Sequence, residues 1–430
     1  MKSLKTLTLV FGILIIFSCN QDKKTDPLNL STVYYGGDII TMVGDSPQYA
    51  EAVVVKDGKI EFVGSSAEAM TTAGKGHQMI DLKGKTMLPG FIDAHGHVFN
   101  SGMMAIAANL LPEPDGNCNS IDKLIENMIV WKDNNPKVIE KYNVILGMGY
   151  DDSQLAEGRH PTADDLDKIS TEIPVLAVHQ SNHLASMNHK ALVLVGYVKG
   201  VKDPNGGVIR RVPGTVEPNG VLEEMAFFIP LIKLMGQVDY ESNIALAKAG
   251  MASYMKYGFT TAQEGRATKD ACEVWKVLGE SGDLKIDVVA YPDLQVEMEY
   301  MLNEGTQKSY TNHYRTGGIK LSLDGSPQGK TAWLTEPYSN DPNNSGYPAI
   351  ADDNEVQRLI DSAFVKKWQV LAHCNGDASG DQYLTALSNA REKYGTQGRR
   401  DVMIHAQTAR LDQLDLIKDM GVIPSFFGMH

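Results

Sequence analysis

Cysteine is scarce in this chain. Cys19, Cys118, Cys272 and Cys374 are the only four in 430 residues, and no two form a CxxC pair. That argues against a disulfide scaffold and against a thiolate zinc site. Positive charge is short as well: 40 Lys and Arg stand against 53 Asp and Glu, a net charge of −13. A surface that grips phosphate backbones is not expected, so no nucleic-acid partner is assigned. The chain has no GxSxG elbow, which counts against a doubly wound hydrolase with a serine nucleophile. It has no internal repeat and no low-complexity block. The remaining composition is globular, 43% hydrophobic and 22% charged, with 40 Gly and 18 Pro. Such a chain can bury one large core or two ordinary ones.

The N-terminus reads as a targeting segment. Lys2 and Lys5 precede the apolar run LTLVFGILIIF at 7–17, which is too short to span a bilayer as a mature helix. The run ends in Ile16-Phe17-Ser18-Cys19, similar to a bacterial lipoprotein cleavage box with Cys19 as the lipidated residue. An ordinary secretory signal or a short anchor helix is the alternative. On the lipoprotein reading, residues 1–19 are the signal and 20–29 a polar, flexible tether. The body is then exported, periplasmic or at the cell surface, and held to a bacterial membrane through the lipid.

Residues 30–90 read as a small β module. Val53-Val54-Val55-Lys56 and Lys59-Ile60-Glu61-Phe62-Val63 flank Asp57-Gly58, the signature of a hairpin. A second strand pair is expected on either side of Lys83-Gly84. From residue 91 onward the pattern changes to strands alternating with helices. Ile121, Leu124, Ile125, Met128 and Ile129 mark one helical face. Helices over 242–257, 269–280, 352–367, 380–394 and 411–419 each lead to a strand, at 259–263, 285–291, 369–373, 401–405 and 422–426. Successive βα units imply a parallel sheet, open or closed into a barrel.

Histidines and one lysine fall at the strand ends. GFIDAHGH at 90–97 ends the first strand of this half. Side chains two apart on a strand share a face, so His95 and His97 are expected to point the same way as half of a zinc site. Lys320 lies in the apolar strand GIKLSLDG, where a bare ammonium is costly. Either it pairs with a nearby acid, Asp324 being the obvious one, or desolvation leaves a neutral amine able to take up CO2 as a carbamate bridging two metals. VLAH and VMIH place His373 and His405 at the carboxyl ends of two further strands, about one βα unit apart. Sites of barrels and open α/β sheets are built at those ends.

LPGFIDAHGH, GIKLSLDGSPQGKTA, LAHCNGD, and MIHAQ followed by GVIPSFF resemble the amidohydrolase superfamily, and within it the amidohydrolase-3 (YtcJ-like) branch that includes N-substituted formamide deformylase. The similarity runs from about residue 30 to the last residue. It implies an α/β fold, a (β/α)8 TIM-like barrel beside a small N-terminal β-sandwich module, with one or two zinc-type ions. By matching position, His95 and His97 would be first-strand ligands and Lys320 the carbamylated bridge, while His373 and His405 would bind the second metal. Lys320, His373 and His405 would carry catalysis. Gly258-Phe259-Thr260-Thr261 and Asn219-Gly220-Val221-Leu222-Glu223 also match, as does the stretch 179–192. The equivalent of that stretch lies near the family's substrate pocket, making His179, Asn182 and His183 candidates for substrate contact, with a polar loop role as the alternative for the two histidines. The family's metal-binding, proton-shuttling aspartate at strand eight has no match before His430, so the barrel of 91–430 is expected to be incomplete, its last strand missing. Asp93 and Asp377 are the conceivable substitutes, Asp93 more as support for the ligands.

The mechanism implied is attack by zinc-activated hydroxide on a polarised amide carbonyl, the aspartate moving the proton. Imidazole and carboxylate-like ligands suit zinc, with iron or manganese open. The leading expectation is therefore a metal-dependent hydrolase of C–N bonds in small amides. The alternative is an exported ligand-binding lipoprotein on the same fold without hydrolytic activity. Substrate specificity is expected in the long span between His97 and Lys320. A homo-oligomer is left open.

Overall fold

In a computed structural model of the chain, the described residues are 30–235, 239–396 and 398–427. The signal segment, Cys19 and the tether lie outside them. The chain divides into a unit that ends at Pro89 and one that begins at Gly90.

The first unit is a four-stranded sheet in the order Lys59–Gly64, Tyr49–Lys56, Thr32–Ile40, Gln78–Asp81. The helix Ser66–Ala73 contributes Ala69 and Ala73 to a small core with Val33, Ala52 and Val54. The Asp-Gly hairpin forms as expected: Lys56 pairs with Lys59, and Asp57 and Gly58 take left-handed φ of 51° and 71°, as a type I′ turn requires. The pair expected around Lys83-Gly84 does not form. Gln78–Asp81 runs parallel to Thr32–Ile40 instead, and Met87 bridges Ile39 of the same strand. A register shift between Tyr35 and Ile39 interrupts that strand's pairing with its other neighbour. The N–H groups of Leu82, Gly84 and Met87 donate to the carbonyls of Tyr35, Gly36 and Asp38, so one strand satisfies both segments. A second sheet that would complete a sandwich is not among the described residues.

The second unit holds two four-stranded parallel sheets, each in chain order. One contains Phe91–Ile92, Phe259–Ala267, Asp287–Pro292 and Tyr314–Thr316; the other contains Gly318–Ser322, Gln369–Cys374, Val402–His405 and Ile423–Phe426. A parallel bridge between Asp293 and Lys320 links them. The helices Tyr240–Lys256, Lys269–Glu280, Asp353–Val365, Asp377–Tyr394 and Leu411–Met420 alternate with these strands, close to the spans expected from periodicity. Among the described strands the two sheets do not close into a ring.

The span between Val98 and Met235 carries a sheet of its own, which the sequence did not announce. Six strands run in the order Gly207–Arg211, Pro218–Glu224, Leu184–Met187, Val175–His179, Ile145–Tyr150, Ala108–Asn109. The last three are mutually parallel and the others antiparallel. The expected helix is there as Ile121–Asn134, with Ile121, Leu124, Ile125 and Met128 buried.

Helix Val98–Ile106, which starts immediately after His97, packs on Tyr240–Lys256 at backbone contact. A Cβ on Gly102 would lie 2.0 Å from the Leu246 carbonyl oxygen, and one on Gly250 would lie 2.0 Å from that of Val98. Only glycine permits this approach.

Candidate metal centre

His95 and His97 sit in the turn after Phe91–Ile92 and not on a strand; His97 is the N-cap of helix Val98–Ile106. They are neighbours for a different reason from alternation along a strand. Strand Phe259–Ala267 clamps the turn: Gly265 N–H donates to the Gly96 carbonyl at 2.8 Å, and His97 bridges Glu264. Their rings end 5.1 Å apart. Glu264 is buried, and burial pushes its carboxyl up to about 7; one oxygen accepts from Phe99 N–H at 2.8 Å, in the first turn of that helix. Gly265 leaves room for the His95 ring, since a Cβ there would lie 2.6 Å from Cε1.

The parallel register aligns the other donors. Lys320 pairs with Leu371, Ser322 with His373 and Cys374 with His405. The ring of His405 lies 5.5 Å from that of His95 and 4.8 Å from that of His373. Both His405 and Ala406 have left-handed backbones, φ 71° and 46°, a conformation costing roughly 1–3 kcal/mol for residues other than glycine. Ala406 N–H to the Cys374 carbonyl and Thr408 N–H to that of Asn375, each 3.0 Å, hold the turn in place.

Lys320 is 1% exposed. Its amine lies 3.3 Å from His95 Nε2. It makes no ion pair with Asp324, the acid suggested by the sequence; that carboxylate takes His373 Nδ1 instead, at 3.0 Å. Burial, with the nearby Arg266 guanidinium adding to it, pushes the Lys320 ammonium down to about 7. Burial also lowers the pKa values of His95, His97 and His373, which keeps these imidazoles neutral, the form that ligates a metal.

Hydrogen bonds orient the rings. His95 Nδ1 donates to Gln263 Oε1 at 2.6 Å, leaving the Nε2 lone pair toward Lys320. Asp324 accepts from His373 Nδ1 and from the N–H groups of Trp333, Asn375 and Gly376 and the Ser379 hydroxyl. Burial still pushes its pKa up to about 7. A divalent cation fits this donor set: the four rings are close-packed, and His95 and His373 are held through Nδ1, the way histidine presents itself to zinc-type ions.

His183 joins the group from the inserted sheet, its ring 5.0 Å from that of His373. Its Nδ1 bonds to Glu224 Oε2 at 2.8 Å, and the other Glu224 oxygen accepts from the Thr331 hydroxyl at 2.7 Å. His179 does not accompany it. His179 is buried beside Asp151 and Asp152, with Nε2 3.8 Å and 3.3 Å from their Oδ1 atoms. Asn182 occupies the turn between the two histidines at φ 59°, its side chain donating to the Gln180 carbonyl. Asp93 accepts from Gln263 N–H at 3.1 Å, and Asp377 anchors Thr335 and Arg410, so both are committed to structure.

Gln263, Glu224 and Arg266 were not read from the sequence, nor was Asp324 as the partner of His373. The Asp151-Asp152 doublet just after the strand ILGMGY was a usable signal, two carboxylates at a strand's carboxyl end.

Comparison with known proteins agrees with this chemistry. The Amidohydro_3 model of the amidohydrolase family matches residues 78–430. The chain is 27% identical over 392 residues to the putative amidohydrolase YtcJ of Bacillus subtilis, covering 88% of this chain and 69% of that protein. It is 25% identical to N-substituted formamide deformylase of Arthrobacter pascens, over 55% of this chain and 42% of that one. Among solved structures, an uncharacterized metal-dependent hydrolase from Pyrococcus horikoshii superposes with a TM-score of 0.68 at 26% identity, covering 92% of this chain and 74% of that one.

Proposed function

Since the chain belongs to the amidohydrolase family, we propose that it is a metal-dependent hydrolase of C–N bonds in small amides or formamide-like compounds, working on a TIM-like barrel scaffold. The observation that carries this is the convergence of His95, His97, His373 and His405 with the buried Lys320 amine. The choice of bond draws on the likeness to N-substituted formamide deformylase.

His95 and His97 would hold one ion and His373 and His405 a second, with Lys320 between them. A neutral Lys320 amine adds to CO2, forming an N–C bond and releasing one proton, and the resulting carbamate supplies two oxygens. One or two zinc-class ions bound there would polarise the substrate carbonyl and lower the pKa of water toward about 7. The chain's own groups do the positioning. Gln263 and Asp324 fix the tautomers of His95 and His373 by accepting their Nδ1 protons. His183, held by Glu224, offers its other nitrogen beside His373 to a substrate's carbonyl oxygen or leaving nitrogen. We further propose, from Lys2, Lys5 and the run ending at Cys19, that the protein is exported and lipid-anchored.

The test is metal content. Purified chain reloaded with Zn2+ should hold one to two ions at these residues, and His95→Ala or Lys320→Ala should remove those ions and abolish formate release from an N-substituted formamide. Unchanged zinc in both variants would overturn the assignment. A chain with neither metal nor carbamate would favour a ligand-binding lipoprotein.

A further inference from the structure

Arg266 stands near the carboxyl end of strand Phe259–Ala267, next to the Gly265 that clamps the turn of His95 and His97. Its side chain is held on two sides. Nε donates to Asp293 Oδ2 at 2.7 Å, and the guanidinium carbon lies 4.6 Å from the centre of the Phe228 ring. Both supports are themselves fixed. Asp293 is 3% exposed, its other oxygen accepts from Gln295 N–H at 3.0 Å, and its backbone bridges Lys320. Phe228 packs edge to face with the His183 ring, the centres 6.0 Å apart.

The two η nitrogens have no hydrogen-bond partner among the described residues, and the side chain is 27% exposed. The guanidinium is therefore anchored at Nε and along one face, while its outer edge stays open. That edge lies close to the imidazole cluster. Behind burial, the Arg266 charge is among the influences that lower the pKa values of Lys320 and His97. Through Phe228 and His183 it is also in packing contact with the surroundings of His373. Two coplanar N–H groups side by side match the two oxygens of a carboxylate. Asp293 already offsets part of the charge, so a single negative charge is better matched here than a phosphate dianion.

We propose that Arg266 is a specificity-determining residue that binds a carboxylate carried by the substrate, so that the amides this site prefers are acids and not their neutral counterparts. The inference rests on the C–N hydrolase reading of the same centre and names its substrate class. Pre-organisation supports it: a guanidinium whose rotamer is set by Asp293 and Phe228 loses little freedom when a ligand arrives. The competing role is structural only, a tie between two strand ends through Asp293.

The test pairs acids with neutral analogues. N-formylglycine, N-formylalanine and N-formylphenylalanine, each beside its carboxamide, are titrated calorimetrically into the full chain freed of metal, where no ion can capture the carboxylate. At least one acid should bind roughly 10–100-fold more tightly than its carboxamide. Arg266→Met should abolish that preference, and Arg266→Lys, which keeps the charge but not the planar fork, should retain only part of it. No preference in any pair, or an unchanged preference in a folded Arg266→Met chain, overturns the proposal. If Arg266→Met does not fold, Arg266→Lys decides, an undiminished preference there overturning it. In the zinc-loaded chain the same preference should appear in the KM for formate release. Acid-selective binding without any formate release would sink the hydrolase reading and keep the carboxylate subsite. Formate release with equal binding and equal kcat/KM for acids and carboxamides would do the reverse.

Discussion

Asp324 is a buried carboxylate, 1% exposed, that accepts five hydrogen bonds, among them the Nδ1 proton of His373. It holds that ring, whose centre lies 4.8 Å from that of His405 and 5.0 Å from that of His183. Outer partners of this kind tune ligand basicity and orientation, and losing one typically costs 10–100-fold in metal affinity. Asp324→Asn keeps an acceptor oxygen but removes the negative charge. We expect roughly a 10–100-fold weaker zinc affinity in competition with a chromophoric chelator, with the circular dichroism spectrum retained. Equal affinity in the two proteins would show that Asp324 serves packing alone. The pair of left-handed residues at His405 and Ala406 belongs to the same scale: strained backbone is tolerated where it aims a side chain at a shared point.

Local chemistry also sets where the short helices begin. In Ala163–Asp167, Asp165 reaches back to Thr162, accepting from its N–H and hydroxyl, both at 2.9 Å, and it accepts from Arg159 at 2.7 Å. The Arg159 and Thr162 donors hold the Asp165 carboxyl down at about 2, against the opposing effect of burial. A carboxylate with a depressed folded pKa stabilises the fold above its ordinary pKa near 4, and that stability is lost as pH falls through the folded value. Asp165→Asn should therefore cost about 1–2 kcal/mol at neutral pH. The gap between the urea midpoints of variant and wild type should close on acidification from pH ~4 toward ~2. A gap that stays constant over that range would mean the carboxylate charge contributes nothing. The six-stranded inserted sheet sets His183 beside His373, with Glu224 holding its ring.

At the scale of the whole molecule, two parallel sheets bring their strand-end donors together, and a third sheet reaches the same place. No helix among the described residues is long and apolar enough to cross a membrane. In a bacterial host, Cys19→Ser should shift the protein out of the membrane fraction and abolish labelling by palmitate. Membrane association that survives the substitution would point to an uncleaved anchor helix, and the lipid assignment would fall.

Periodicity and punctuation were enough to lay out the alternating strands and helices after residue 258, because those signals depend on residues only a turn or a pleat apart. They were likewise enough to single out Lys320, an amine in an apolar strand, and the histidines closing VLAH and VMIH. A turn clamped by Glu264 and Gly265, not alternation along a strand, puts His95 and His97 side by side. Which acid meets which base was beyond the chain's order. Asp324 lies four residues from Lys320 yet bonds to His373, and Glu224 reaches back 41 residues to His183. Those partnerships follow from strand register and from which faces pack together, quantities summed over many distant contacts. Local pattern therefore settled the elements after residue 258 and the kinds of donor they carry, while the folded arrangement alone supplied the inserted sheet and chose the pairs that make them a site.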